Sequence, residues 1–212
     1  MGPSGSGKST LLNLIAGLLD PSSGHLLLGN REIKGPGPDR GVVFQQANLY
    51  PWLTTRGNVE LGPRIRGVGK AERREQAERF LQMVGLSLFA DRKPYELSGG
   101  MQQRAQIARV LVNDPKVILM DEPFGALDAV IRGKAQDDLL AIQRRFGTTI
   151  VLVTHDMEEA FRLGHKIAVL SQGRLLQYAP PAELVLHPAD EFVTRLTGTA
   201  DRAFKLLSLT TT

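Results

Sequence analysis

Residues 2–9 read Gly-Pro-Ser-Gly-Ser-Gly-Lys-Ser and fit the pattern Gly-x-x-x-x-Gly-Lys-Ser/Thr, which constrains the fold more than any other segment. Glycines in this pattern let successive backbone N–H groups turn inward around phosphate groups. Lys8 supplies a positive charge for the outer phosphates, and the Ser9 hydroxyl can ligate Mg²⁺. The apolar run after the loop predicts a helix over residues 9–19, whose N-terminal end faces the same phosphates. The candidate phosphate contacts are Gly2, Ser4, Gly5, Gly7, Lys8, Ser9 and Thr10.

The position of this loop predicts an incomplete domain. A phosphate loop of this kind ordinarily joins a buried strand to a helix. Only Met1 precedes the loop, so the strand that should feed it is missing. We therefore expect a chain that is truncated at its N-terminus and lacks the front β-strands of its sheet.

Composition limits the class of protein. A chain of 212 residues with 42% hydrophobic content has room for one core, with or without a subdomain. Its apolar runs are shorter than the roughly 18 residues of a membrane-spanning helix, and the absence of cysteine excludes disulfides and thiolate metal sites. The net charge of +4 is modest for a nucleic-acid-binding protein, so we expect no nucleic-acid partner.

Short β-rich runs alternate with helical patterns, which predicts an α/β fold with a mainly parallel sheet, of the RecA-like P-loop NTPase class. The predicted strands cover residues 25–28, 41–44, 117–120, 149–153 and 166–170. Residues 51–113 are helical in pattern, and residues 71–84 form an amphipathic helix. We expect a nucleotide-binding core at 1–48 and 114–175, an inserted α-helical subdomain at 49–113 and a C-terminal appendage at 176–212.

A second motif places two carboxylates at a strand end. The apolar run 117–120 is followed by Asp121 and Glu122. Asp121 would face the Mg²⁺ shell, as the acidic residue of such a strand does in P-loop NTPases. Glu122 would take a proton from an attacking water, a role that contributes roughly 10²–10⁴-fold in rate. Acidic residues at a strand end can instead cap the following loop, but the phosphate loop upstream favours the catalytic interpretation.

The third motif is the string Leu-Ser-Gly-Gly-Met-Gln-Gln-Arg at residues 97–104. Ser98, Gly99 and Gly100 form a turn rich in N–H groups at the start of a predicted helix, and such a helix start binds anions. An ordinary serine N-cap is the alternative. A plain N-cap, however, does not explain why one small domain should contain two phosphate-binding elements. The string resembles the signature of the ATP-binding subunits of ATP-binding-cassette (ABC) transporters.

This resemblance implies roles for further residues. In the family, the signature turn binds the γ-phosphate of ATP held by a second ATP-binding subunit, so that two chains enclose two ATP molecules head to tail. Gln45 resembles the glutamine that reaches Mg²⁺ and the attacking water, Asp128 the loop residue that crosses the dimer interface, and His155 the switch histidine at the γ-phosphate. The implied partners are a second such subunit, the transmembrane permease subunits and, indirectly, a solute-binding protein, at the cytoplasmic face of the plasma membrane.

The transported solute is a finer question. Residues 49–59 look like the loop with which importers of small organic solutes meet their membrane subunit. Residues 188–209 resemble the C-terminus of osmoprotectant (glycine betaine or choline) importers, which is the interpretation we favour from the sequence. Pro51, Trp52, Leu53 and Thr54 favour the alternative, an importer of sulfonate, taurine or nitrate. An inactive truncated remnant and a cassette ATPase without a transport role are the remaining alternatives.

Overall fold

The computed structural model describes residues 1–125, 127 and 129–198. Two compact units share these residues: a terminal unit, formed by residues 1–12 and the described part of 152–212, and a central unit, residues 13–151. The helices are α1 (Lys8–Ala16), α2 (Thr55–Ile65), α3 (Lys70–Met83), α4 (Gly99–Leu111), α5 (Ala129–Phe146), α6 (Met157–Leu163), α7 (Pro181–Leu186) and α8 (Glu191–Thr197). The strands are β1 (Leu27–Leu28), β2 (Arg31–Glu32), β3 (Arg40–Val43), β4 (Val117–Asp121), β5 (Thr149–Val153), β6 (Ile167–Ser171) and β7 (Arg174–Ala179).

A three-stranded sheet in the order β3-β4-β5 carries the predicted parallel pairing. β3 runs parallel to β4, with Arg40 opposite Val117 and Val43 opposite Met120. The first four residues of β4 are buried, as expected for a strand covered on both faces. The helical pattern of residues 51–113 is confirmed, since α2, α3 and α4 all fall within that stretch.

The first helix is shorter than predicted, because α1 ends at Ala16 and not at residue 19. Gly17 follows with a φ of +75°, a conformation that glycine adopts without steric strain because it has no Cβ. The Gly17 N–H donates to the Leu14 carbonyl, and the Leu18 N–H donates to the Asn13 carbonyl. These two bonds define a Schellman motif, which satisfies the last carbonyls of the helix and stops it.

The terminal unit contains a hairpin that the sequence pattern did not predict. The predicted strand at 166–170 exists as β6, but it forms a two-stranded sheet with β7, and the two run antiparallel. Ser171 pairs with Arg174 across Gln172 and Gly173, whose φ values are +48° and +75°. Positive φ at both central residues is the mark of a type I′ turn, which matches the twist of the flanking strands.

The predicted C-terminal appendage contributes to the core of the terminal unit. α7 and α8 bring Leu184 and Val193 into a buried cluster with Val169 of β6. Asp190 caps α8 by accepting a hydrogen bond from the Val193 N–H at 2.8 Å. The division into core, subdomain and appendage stays a prediction. Within the described ranges, no helix has the length and apolar character needed to cross a bilayer.

Candidate nucleotide and hydrolysis site

The phosphate loop is attached to β6 through Met1. The Met1 nitrogen donates to the Ala168 carbonyl at 2.6 Å, and the Leu170 N–H donates to the Met1 carbonyl at 2.8 Å. Two bonds from one residue to the neighbours of Val169 are the pattern of parallel strands. Gly2 approaches β6 so closely that a Cβ there would lie 2.1 Å from the Leu170 carbonyl oxygen. Met1, directly ahead of the loop, thus pairs with β6 in the manner of a parallel strand residue.

Inside the loop, the backbone curls around the Lys8 side chain. Lys8 is only 6% exposed, and its Nζ donates to the Pro3 carbonyl at 2.8 Å. The Gly173 N–H donates to the Ser6 carbonyl, which ties the loop to the β6–β7 turn. Gly5 and Gly7 have φ values of +75° and +93°, so the two glycines supply a conformation that other residues adopt only with strain.

This loop fits a nucleotide phosphate. Ser4, Gly5, Ser9 and Thr10 are exposed, and the first N–H groups of α1 have no partner within the helix. The Ser6 Oγ is buried and has no hydrogen-bond partner among the described residues. A helix N-terminus with an adjacent lysine favours a phosphate group, which would replace the Pro3 carbonyl as the partner of Lys8.

His155 lies two residues beyond β5 in the same unit, on a turn held by its neighbours. The Thr154 hydroxyl accepts from the Asp156 N–H at 2.9 Å. Asp156 caps α6, accepting from the N–H groups of Glu158 and Glu159. Because both flanking residues are fixed, the exposed His155 side chain is presented from a defined backbone.

In the central unit, the carboxylates and the glutamine lie at one edge of the sheet. Asp121 ends β4, and Glu122 follows with a φ of +44°. A left-handed glutamate is strained, and such strain occurs mostly at functional sites. Gln45 lies two residues past β3, so the parallel register brings it level with Glu122. A Cβ on Gly125 would lie 3.4 Å from the Gln45 Nε2, which confirms that Gln45 packs on the loop after Glu122.

The signature turn has the predicted geometry. α4 begins at Gly99, and the Ser98 hydroxyl accepts from the Met101 N–H at 3.4 Å. Ser98 and Gly99 are exposed while Gly100 is buried, so the first residues of the turn are open to solvent. The serine therefore does act as an N-cap, as the alternative interpretation expected.

Two buried glutamines that the sequence motifs do not single out lie next to the candidate site, and one predicted residue lies outside the described ranges. Gln103 and Gln106 of α4 are buried, and both bind backbone groups beside the candidate catalytic residues. The sequence signal that could have found them is a pair of polar residues, three apart, on the otherwise apolar face of a helix. Asp128 lies outside the described residues.

The family model for ABC transporters matches residues 1–125. The chain belongs to the ABC transporter family. Membership makes it an ATP-binding, ATP-hydrolysing cassette, in agreement with the phosphate loop, the acidic strand end and the signature turn.

Similar proteins support membership of the ABC transporter family. An ABC transporter ATP-binding protein of Methanocaldococcus jannaschii is 54% identical over 171 residues, which are 81% of this chain and 64% of that protein. A taurine import ATP-binding protein of Roseobacter denitrificans is 50% identical over 171 residues, with the same coverage. A putative ATP-binding protein of Brucella abortus is 50% identical over 182 residues, 85% of this chain and 70% of that protein. The chain thus spans about two thirds of the length of these relatives.

Solved structures agree with the fold. An ATP-binding cassette solved as a dimer in a post-hydrolysis state with ADP and Pi has a TM-score of 0.74 and 40% identity, covering 85% of this chain and 83% of that one. The cbiO1 protein of Clostridium perfringens, part of an ABC transporter complex, has a TM-score of 0.81 and 28% identity over 98% of this chain and 85% of that one. The predicted P-loop NTPase fold is confirmed.

Proposed function

We propose that this chain is the ATP-hydrolysing subunit of an importer for taurine or a related sulfonate. The observation that carries the proposal is the set of taurine import ATP-binding proteins that are 48–50% identical over 81% of the chain. The osmoprotectant interpretation has no support among these relatives, and part of the tail on which it rested, residues 199–209, lies outside the described residues. The alternative importer class is therefore the better supported one.

The proposed hydrolysis divides the work among named side chains. Lys8 and the N–H groups at the start of α1 hold the β- and γ-phosphates of ATP. Ser9, Asp121 and Gln45 offer hydroxyl, carboxylate and amide oxygens, which are the donors that Mg²⁺ prefers alongside phosphate oxygens. Held by these oxygens, Mg²⁺ would supply positive charge to offset the negative charge that develops on the phosphates.

Water attack completes the proposed reaction. Glu122 accepts a proton as the water oxygen bonds to the γ-phosphorus and the bond to ADP breaks. His155 contacts the γ-phosphate from the end of β5. Its fixed turn is what a phosphate sensor requires, because a contact made by a mobile side chain would lose free energy to ordering.

A second ATP-binding subunit completes the site in this proposal. The signature turn at Ser98, Gly99 and Gly100 binds the γ-phosphate held by the partner subunit. The related cassette solved as a dimer supports this assembly. The further partners are permease subunits and, through them, a solute-binding protein, with this chain at the cytoplasmic face of the membrane.

An exposed aromatic pair is the proposed permease contact. The rings of Tyr50 and Trp52 have centroids 5.2 Å apart, and Trp52 is 68% exposed. Arg109 lies over the Tyr50 ring at 5.7 Å, and Lys93 donates to the Trp52 carbonyl at 2.6 Å. Cations and backbone bonds thus hold an apolar surface in place, as a docking site for a short helix needs. Replacing both aromatics by alanine should keep ATPase activity in detergent and lose solute uptake in vesicles, whereas equal loss of both would indicate a packing role.

Uptake by cells tests the substrate. In the source organism, a strain lacking this gene should lose uptake of labelled taurine and retain uptake of labelled glycine betaine. The Lys8→Ala form of the gene should fail to restore uptake, and the wild-type gene should restore it. Loss of glycine betaine uptake alone would overturn the sulfonate proposal and favour the osmoprotectant class, and unchanged uptake of both would exclude the two importers.

A further inference from the structure

We infer that Gln106 is a positioning residue for hydrolysis, which holds the backbone of Phe44 and thereby fixes Gln45. This inference rests on the proposed catalytic role of Gln45. Gln106 lies in α4, seven residues beyond the start of the signature helix, and its side chain is fully buried, at 0% exposure. A buried amide without partners costs free energy, so its partners matter.

Both partners of Gln106 belong to one residue. Its amide, oriented so that both atoms are satisfied, accepts from the Phe44 N–H at 2.9 Å and donates to the Phe44 carbonyl at 3.3 Å. A residue in a β-ladder binds its neighbour in this same two-bond manner. The Gln106 side chain therefore acts as a substitute for a strand residue.

The two hydrogen bonds between Gln106 and Phe44, called the clamp below, lie just past the end of β3. β3 ends at Val43, which pairs with Met120, so Phe44 is the first residue beyond the pairing of β3 with β4. Without a further partner, its backbone would be free to vary at the point where Gln45 leaves the sheet. The clamp gives Phe44 the backbone hydrogen bonds of a strand residue, and it thereby fixes the backbone that leads into Gln45.

Close packing makes this reach possible. A Cβ on Gly41 would lie 2.1 Å from the Val110 Cγ1, so α4 lies directly on β3 at this point. Gln103, one turn earlier and 5% exposed, donates to the carbonyl of Pro123, directly after Glu122. The helix that carries the signature turn thus holds, by two buried amides, the backbone beside Gln45 and the backbone beside Glu122.

Kinetics separates positioning from packing. Gln106→Leu keeps the volume and loses both bonds, so kcat for ATP hydrolysis should fall by about 10–100-fold, the effect of a misplaced catalytic group, with KM for ATP unchanged within about twofold. Ile107→Val, a buried change on the same helix, is the control and should keep kcat. In a Gln45→Ala background, Gln106→Leu should lower kcat by less than about twofold, because residues acting as one unit are not additive. Equal effects in both backgrounds would overturn the inference.

Hydrogen exchange tests the clamp without catalysis. Loss of the acceptor should speed exchange of the Phe44 amide by about 2–12-fold, the equivalent of one hydrogen bond. Gln106→Leu should show this change at Phe44, and Ile107→Val should not. Unchanged exchange at Phe44 would overturn the inference. A Gln45→Ala variant with wild-type kcat would instead overturn the proposed role of Gln45, a separate result.

Discussion

The Schellman motif at the end of α1 gives a prediction whose size follows from the structure. Gly17 has a φ of +75°, and an added Cβ would lie 2.2 Å from the Gly35 carbonyl oxygen and 2.9 Å from the Pro36 nitrogen. These are backbone atoms, which cannot rotate aside as the end of a side chain can. Gly24 has nearly the same φ, +76°, and has nothing within 4 Å of its Cβ position. The two glycines therefore differ in crowding and hardly at all in φ.

Substitution by alanine separates the two costs. Gly24→Ala should lower the free energy of unfolding by about 1–2 kcal/mol, the left-handed penalty. Gly17→Ala adds a packing cost of about 1–3 kcal/mol, which makes the expected loss about 2–5 kcal/mol. The effect of alanine on the unfolded chain is common to both variants and cancels in the comparison.

Urea denaturation measures the difference. The midpoint for Gly17→Ala should lie clearly below that for Gly24→Ala, with the slope of free energy against urea unchanged. Equal midpoints would refute the close approach of residue 17 to residues 35 and 36. A changed slope would mean that the substitution alters the compactness of the folded or the unfolded state. That result would contradict the assumption that both variants unfold to the same state.

Three further predictions concern the proposed reaction. Glu122→Gln should reduce turnover by about 10²–10⁴-fold and leave an ATP-bound dimer, which light scattering detects; rapid turnover would remove Glu122 from the role of base. Lys8→Ala should weaken ATP binding, because it removes the charge that faces the phosphates, and unchanged affinity by calorimetry would contradict this. Ser98→Arg should block ATP-driven dimerisation in the Glu122→Gln background while nucleotide binding by the monomer persists. A normal dimer peak would mean that Ser98 is a helix cap alone.

The sequence by itself determined the family and the alternation of elements. Local chemistry is sufficient for that: a phosphate loop needs glycines and a lysine at fixed spacing, and a strand buried on both faces needs a run such as β4. Each of these signals lies within a few residues of chain. The positions of β3, β4, β5, β6 and α4 could therefore be predicted to within a few residues.

Only the tertiary structure decided which segments of the chain pair with, or hydrogen-bond to, one another. The sequence predicted β6 in a mainly parallel sheet, but its antiparallel partner β7 depends on a turn at Gln172, where a non-glycine residue adopts a positive φ. The clamp of Gln106 on Phe44 joins residues 62 positions apart and leaves no periodic trace. Hydrogen bonds between distant segments depend on how helices and strands pack, and a polar residue on an apolar face does not say which backbone group it will meet.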